Sequence, residues 1–226
     1  MAEAGPGSGL LGGLGGLVGH AHQKVFGHPF VYDHIRPLAV GGIDMSPVYG
    51  ALEARPDDVV VDVGCGTGDA LRYLGPVAAY HGFDTDAVAI TRARERAAQR
   101  PETRNARFEA RLFSAEDAAA LAPTKIVLAG LLHHLTDDEA RGLFRMLSAS
   151  PQLKRVVTQD VVILPGRPVN NLLARMDRGR HVRFEPDYPR LADGSGLSVM
   201  RSWVMRCHPK RGLAHYVVMI LEPKAR

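Results

Sequence analysis

A β-branched run that ends in a glycine cluster constrains the fold of this chain more than any other feature. Residues 58–69 read DVVVDVGCGTGD, so Gly64, Gly66 and Gly68 follow directly on an apolar run. An uninterrupted apolar run is typical of a strand that is buried on both faces, as in a parallel sheet. Glycine at the end of such a strand permits a tight turn and lets the backbone approach a ligand closely. The segment therefore predicts a central strand that leads into a ligand-binding loop.

Strand-like and helix-like segments alternate along the rest of the chain. The predicted strands are residues 58–63, 79–83, 106–110, 125–131, 154 to about 160, 197–205 and 213–221. The predicted helices are residues 69–74, 85–99 and 168–176, and one that opens at Thr136 with a Thr136/Glu139 capping box. Such alternation predicts a parallel sheet with helices on both faces. The expected fold is a doubly wound, Rossmann-like α/β domain with a seven-stranded sheet, in which five parallel strands precede a C-terminal antiparallel pair.

Composition divides the chain into three predicted parts. Residues 1–20 are rich in glycine and predict a flexible tail, because glycine weakens any helix. Residues 21–56 combine proline, glycine and aromatic residues with short amphipathic pieces, which indicates a helical lead-in or cap. Residues 57–226 carry the alternating pattern and form the predicted ligand-binding domain.

Bulk properties narrow the class of protein. No apolar run is long enough to span a bilayer, and the two cysteines, Cys65 and Cys207, fit a reducing compartment, so a cytoplasmic protein is expected. The net charge of +4 is too small to indicate nucleic-acid binding without a clustered patch. The oligomeric state stays open.

Acidic residues flank the glycine loop. Asp84 follows Gly64 by 20 residues, and a carboxylate at the end of the second strand can accept both hydroxyls of a ribose. The loop has the spacing G-x-G-x-G rather than the G-x-G-x-x-G of dinucleotide sites, and Asp69 opens the next helix. An acid at that position repels a pyrophosphate. Together with Asp62, it favours a ligand that has a cationic end.

These motifs resemble those of the class I S-adenosylmethionine-dependent methyltransferases. VVDVGCGTGDAL and GFDTD resemble the first two motifs of that family, and GLLHHLTDDEA resembles the segment after the fourth strand in its small-molecule members. The resemblance implies S-adenosylmethionine as cofactor, with Asp62 near its amino group and Asp84 on its ribose. The predicted cofactor-binding residues are Asp62, Gly64, Cys65, Gly66, Gly68, Asp84, Thr85, Ser114, Leu131 and Tyr32.

Two of these contacts have alternatives. Either Leu112 and Phe113 sandwich the adenine, or the polar stretch that begins at Ser114 meets the edge of the ring. Tyr32 either closes over the cofactor or packs within the lead-in.

The adjacent histidines His133 and His134 are the candidate catalytic residues. The doubly wound topology brings the end of the fourth strand beside the glycine loop. Successive residues of an extended chain point to opposite sides, so one histidine is expected to face the pocket and the other the core. The same argument, with no carboxylate or cysteine at ligand spacing, disfavours a metal site. A general base for the acceptor and a hydrogen-bonded structural histidine both remain open.

The function predicted from these features is methyl transfer from S-adenosylmethionine to a small-molecule acceptor, with oxygen favoured as the acceptor atom. A tRNA methyltransferase, an N-methyltransferase acting on a small amine, and an auxiliary protein without activity are the alternatives. The basic segment DRGRHVR, residues 177–183, either recognises a carboxylate or phosphate on the acceptor or forms a solvated helix end.

Overall fold

The computed structural model describes residues 43–100, 103–177, 179–210 and 212–225. The predicted tail, residues 1–20, and most of the predicted lead-in, residues 21–56, lie outside the described residues, as does Tyr32. Within the described part, no helix is both long and apolar enough to cross a membrane.

A mixed sheet with helices on both faces makes up the described chain. The strands are β1 Val59–Val63, β2 Ala79–Asp84, β3 Ala106–Ala110, β4 Lys125–Ala129, β5 Arg155–Ile163, β6 Arg183–Phe184, β7 Leu197–Arg206 and β8 His215–Pro223. The helices are α1 Ser46–Leu52, α2 Ala87–Ala98, α3 Ala115–Leu121, α4 Asp137–Ser148, α5 Pro168–Arg175 and α6 Asp187–Arg190. Two 3₁₀ turns, Asp69–Arg72 and Leu132–His134, follow β1 and β4.

The sheet order is β3-β2-β1-β4-β5-β8-β7, with β6 paired to β5 outside this path. The strands from β3 to β5 are parallel, whereas β8 runs antiparallel to both β5 and β7. This arrangement confirms the predicted doubly wound sheet with its C-terminal antiparallel pair. The sheet has eight strands rather than seven, because the two-residue β6 is too short to leave a periodic pattern in the sequence.

The central position of β1 explains why all of its residues except Asp62 are apolar. β1 pairs with β2 on one side and β4 on the other. Val60 belongs to one apolar cluster and Val61 to the other, and both are fully buried. Successive residues therefore face two separate cores, so a polar side chain in this strand is buried whichever face it lies on.

Several elements differ from the prediction, and three of the differences are informative. β5 continues past Asp160 to Ile163, because the buried Asp160 carboxylate accepts the Leu132 and His133 amides instead of ending the strand. The predicted helix 69–74 is the 3₁₀ turn Asp69–Arg72. The sequence does not predict helix α3, because a helix of only seven residues is too short to show a clear helical period.

Candidate active site

The glycine loop that follows β1 has a backbone that only glycine adopts easily. Gly64, Gly66 and Gly68 have φ angles of +79°, +52° and +72°. These values lie in the left-handed region, where any Cβ is strained. The amides of Gly64 and Cys65 both donate to the Phe83 carbonyl, at 2.7 and 3.1 Å. These two bonds hold the start of the loop against the end of β2.

The carboxylate of Asp84 is fixed by two backbone amides. Its Oδ2 accepts from the Gly66 amide at 2.9 Å, and its Oδ1 accepts from the Asp86 amide at 2.9 Å. A carboxylate offers about four acceptor positions, so each oxygen can take a further donor. The residue is therefore held in place to receive a pair of hydroxyl groups beside the glycine loop, as a ribose would supply.

Asp62 is a buried carboxylate with one unsatisfied oxygen. Its Oδ2 accepts from Tyr80 Oη at 2.8 Å and, at a longer 3.5 Å, from Tyr49 Oη. Its Oδ1 accepts no hydrogen bond from any described residue. Burial raises the pKa of Asp62 to about 7, and the charge of Asp84 adds to the rise, while the Tyr80 hydrogen bond opposes it. A cationic group beside Oδ1 would stabilise the ionised form, which fits the ammonium end of S-adenosylmethionine.

The other predicted cofactor residues occupy different surroundings. A Cβ built on Gly64 would lie 3.8 Å from Leu131 Cδ1, so the glycine loop and the end of β4 are adjacent, as the topology predicts. Half-buried Thr85 directly follows Asp84. Ser114 caps α3, since its Oγ accepts from the Asp117 amide at 3.2 Å. An adenine contact by Ser114 stays a prediction.

The thiol of Cys65 faces the core. A Cβ on Gly82 would come within 2.7 Å of Cys65 Sγ, so β2 needs glycine opposite this side chain. Burial raises the pKa of the Cys65 thiol, which therefore stays protonated and is not a nucleophile. Within the loop, the thiol donates to the Gly66 carbonyl at 3.8 Å.

The two histidines lie side by side rather than on opposite sides of the chain. They belong to the 3₁₀ turn Leu132–His134, and their ring centroids are 4.1 Å apart. The extended-chain argument is therefore wrong, because the strand ends at Ala129 and the chain turns before reaching them. Asp177, which lies 44 positions away along the chain, packs against His133 and brings a carboxylate to the turn that spacing along the sequence does not reveal.

His133 is enclosed by two carboxylates. Its side chain is 1% exposed, with Nδ1 at 2.5 Å from Asp160 Oδ1 and Nε2 at 3.2 Å from Asp177 Oδ1. Burial alone would lower the pKa of His133, but the hydrogen bonds to Asp160 and Asp177 outweigh burial and raise it to about 9. Protonated at neutral pH and bonded at both nitrogens, His133 has no position for an acceptor proton. This geometry favours the structural interpretation of His133.

The DRGRHVR segment packs onto the histidine turn. Besides the Asp177 contact, the His181 amide donates to the His133 carbonyl at 3.0 Å. A Cβ on Gly179 would lie 2.0 Å from His133 Cδ2, so glycine is needed for this close approach. At the end of the segment, Arg183 is 8% exposed. Neither interpretation of the sequence anticipated this packing role, because the contacts join residues more than 40 positions apart.

Arg183 binds the turn and the start of α4 together. It donates to the carbonyls of Leu132, Leu135 and His181 at 2.7–2.9 Å, and it pairs with Asp137 at 2.8 Å. We expect Arg183→Ala to lower the free energy of unfolding by about 2–4 kcal/mol, since several buried carbonyls lose their donor.

Denaturant unfolding measures this effect, with Arg190→Ala as the matched control. Arg190 is exposed and has one i,i+3 pair with Asp187, so its loss should change stability by less than about 0.5 kcal/mol. Equal effects of the two substitutions would contradict a structural role for Arg183.

Comparison with known families agrees with this geometry. Residues 61–150 match the model of a family described as a methyltransferase domain. The matched segment includes the glycine loop, Asp84 and both histidines. The match spans 90 of the 226 residues of the chain. The resemblance of the sequence to class I methyltransferases is thus confirmed, and S-adenosylmethionine is the cofactor of that family.

Several solved structures share the fold of this chain. Magnesium protoporphyrin IX methyltransferase from Synechocystis PCC 6803, crystallised with bound SAH, aligns with a TM-score of 0.60 and 16% identity over 92% of this chain and 94% of that chain. A cyclopropane synthase from Mycobacterium tuberculosis aligns with a TM-score of 0.57 and 14% identity over 71% and 61% of the two chains.

An O-methyltransferase from neocarzinostatin biosynthesis, in complex with S-adenosylmethionine and 2-hydroxy-5-methyl naphthoic acid, aligns with a TM-score of 0.53 and 19% identity over 80% of this chain and 50% of that chain. At such identities, the three likenesses show a common fold. No curated protein matches this chain.

Proposed function

We propose that this protein transfers the methyl group of S-adenosylmethionine to a hydroxyl oxygen of a small molecule. The observation that carries the proposal is the arrangement of Asp62 and Asp84 around the glycine loop. Asp84 is held by the Gly66 and Asp86 amides, and one buried oxygen of Asp62 has no donor among the described residues. The pair suits a ligand that has a ribose and a cationic amino acid end.

In this proposal the cofactor supplies an activated methyl group on its sulfonium, and the chain aligns the acceptor with it. Asp84 holds the ribose hydroxyls, and Asp62 holds the ammonium group. The glycine backbone between them leaves space for the cofactor, because no side chain projects from Gly64, Gly66 or Gly68.

The acceptor side of the proposed site is the end of β4. His133 is buried and bonded at both nitrogens, whereas His134 is half-buried. We therefore assign the contact with the acceptor hydroxyl to His134 rather than His133. The described residues between β5 and β7 form α5, β6, α6 and short connections, which favours a small acceptor over a folded macromolecule.

An acceptor panel tests this proposal. The protein is incubated with S-adenosylmethionine and phenols, hydroxyquinones, carboxylic acids, amines or total tRNA, and both S-adenosylhomocysteine and methylated product are measured by mass spectrometry. Methylated phenols or hydroxyquinones are expected. Products confined to the amines or to tRNA would contradict oxygen of a small molecule as the acceptor.

A further inference from the structure

Three potential metal ligands converge at the end of β4. One nitrogen each from His133 and His134 and one carboxylate oxygen of Asp177 lie within 4.8 Å of one another. Among the described residues, no other group of three histidine, cysteine or acidic side chains has its ligand atoms close enough together to hold a metal ion. The 3₁₀ turn accounts for it, because the turn sets two consecutive imidazoles side by side, with ring centroids 4.1 Å apart.

The spacing within the cluster approaches that of a coordination shell. His133 Nε2 and Asp177 Oδ1 are 3.2 Å apart. Two ligands of a tetrahedral Zn²⁺ with bonds of about 2.0–2.1 Å stand about 3.3 Å apart, so this pair already has the required separation. The three ligand atoms lie within 4.8 Å of one another, so metal binding requires His134, the least buried of the three residues, to move closer to the other two.

The surroundings of His133 are those of a metal-binding imidazole. Its Nδ1 is hydrogen-bonded to Asp160, whose carboxylate also accepts the Leu132 and His133 amides. A ligating histidine characteristically donates its second ring nitrogen to a carboxylate, which fixes the tautomer and the orientation of the ring. Gly179 adds a steric constraint, because its backbone lies so close to the His133 ring that a Cβ there would be 2.0 Å from Cδ2. Nε2 is thereby aimed at Asp177.

We propose that His133, His134 and Asp177 bind a divalent transition-metal ion, for which Zn²⁺ is the test case. Two imidazoles and one carboxylate are the ligand set of catalytic zinc sites, which keep a further position for water or substrate. On binding, the ion replaces the proton between Nε2 and Asp177, and that proton leaves to solvent. Mg²⁺ is not the expected ion, because it prefers oxygen ligands.

A catalytic role for this metal site rests on the proposed function, namely methyl transfer to a hydroxyl oxygen. If the end of β4 is the acceptor side, the acceptor hydroxyl takes the open position of the ion, and His134 then contacts the hydroxyl through the ion rather than directly. A hydroxyl bound to a cation loses its proton more readily, which would assist methylation of oxygen. The metal site itself can be tested without acceptor or cofactor.

The test is metal binding by the full-length, untagged protein after treatment with a chelator. Zn²⁺ binding is measured by equilibrium dialysis and elemental analysis, and the geometry by the visible spectrum of the Co²⁺ form. We expect the unmodified protein to bind one Zn²⁺ and to give a Co²⁺ spectrum of four- or five-coordinate geometry. The variants His134→Ala and Asp177→Asn should each bind Zn²⁺ at least tenfold more weakly and lose that spectrum. His208→Ala, which removes an imidazole elsewhere, should bind Zn²⁺ as the unmodified protein does.

Each outcome decides the inference. Zn²⁺ binding that is absent, or that neither His134→Ala nor Asp177→Asn weakens, would overturn it and leave a hydrogen-bonded network. Calorimetry with S-adenosylhomocysteine in the same variants reports whether the fold and the cofactor site remain intact. Methyl transfer by the metal-free protein would leave the proposed function standing without the metal.

Discussion

Asp84→Ala should weaken the binding of S-adenosylhomocysteine by at least about 100-fold. The carboxylate is expected to accept both ribose hydroxyls, and hydrogen bonds to a charged group contribute about 1.5–3 kcal/mol each. The substitution also releases the Gly66 amide, which Asp84 Oδ2 accepts at 2.9 Å, so the glycine loop loses one of its fixed points. Isothermal titration calorimetry at neutral pH measures the dissociation constant.

Asp86→Ala is the matched control for that experiment. Asp86 lies two residues away and caps α2, where its carboxylate accepts from the Val88 and Ala89 amides. Its loss should cost about 1 kcal/mol of stability without changing affinity. If Asp84→Ala binds as tightly as the unmodified protein, Asp84 does not hold the ribose.

Asp62→Asn should have opposite effects on stability and on cofactor affinity. We expect the cofactor-free variant to be more stable by about 1–3 kcal/mol at pH 8, because the unmodified protein buries an ionised carboxylate, one oxygen of which has no donor in the described part of the chain. We also expect S-adenosylhomocysteine to bind at least about tenfold more weakly at pH 7.5, since the ammonium group loses its charged partner. Denaturant unfolding and calorimetry measure the two effects.

The pH dependence follows from the direction of the pKa shift. Asp62 has a pKa of about 7 in the folded chain, above its usual value of about 3.9 in an unfolded chain. Between these values the folded state holds a proton that the unfolded state has lost, so the contribution of Asp62 to stability falls as pH rises from about 4 to about 7. The gain from Asp62→Asn should therefore grow over that window and vanish near pH 4.

Asp58→Asn is a control for which the opposite change in stability is expected. Asp58 is also buried, but hydrogen bonds from Thr124, the Arg55 amide and Lys154 outweigh burial and lower its pKa. Its contribution to stability is present above the unfolded pKa, so the substitution should destabilise the protein at pH 8 and leave cofactor affinity unchanged. If Asp62→Asn destabilises the protein at pH 8 as much as Asp58→Asn does, the Asp62 carboxylate does not destabilise the folded protein.

The sequence predicts the parts of this structure that depend on local patterns. Val60 and Val61 face opposite cores, which produces the apolar run of a central strand, and the positive φ angles of the loop require glycine. The capping box at Thr136 was predicted from residue types at fixed spacing, and the Thr136 Oγ does accept the Glu139 amide. Such features are set within a few residues and leave a readable pattern.

Other features depend on contacts that join distant parts of the chain. The strand before the histidines ends two residues earlier than predicted, and this small error changed their expected directions, because a turn and a strand orient successive side chains differently. Asp177 meets His133 across 44 positions, and Asp62 meets Tyr80 across 18. No spacing rule connects such residues, so the buried networks could not be predicted from the sequence.

The most direct test of the central claim is a crystal structure with S-adenosylhomocysteine. We expect the ribose hydroxyls within hydrogen-bond distance of the Asp84 carboxylate, the ammonium group beside Asp62 Oδ1, and the sulfur directed towards the end of β4. Ligand bound away from the glycine loop, or a ribose that does not contact Asp84, would contradict it.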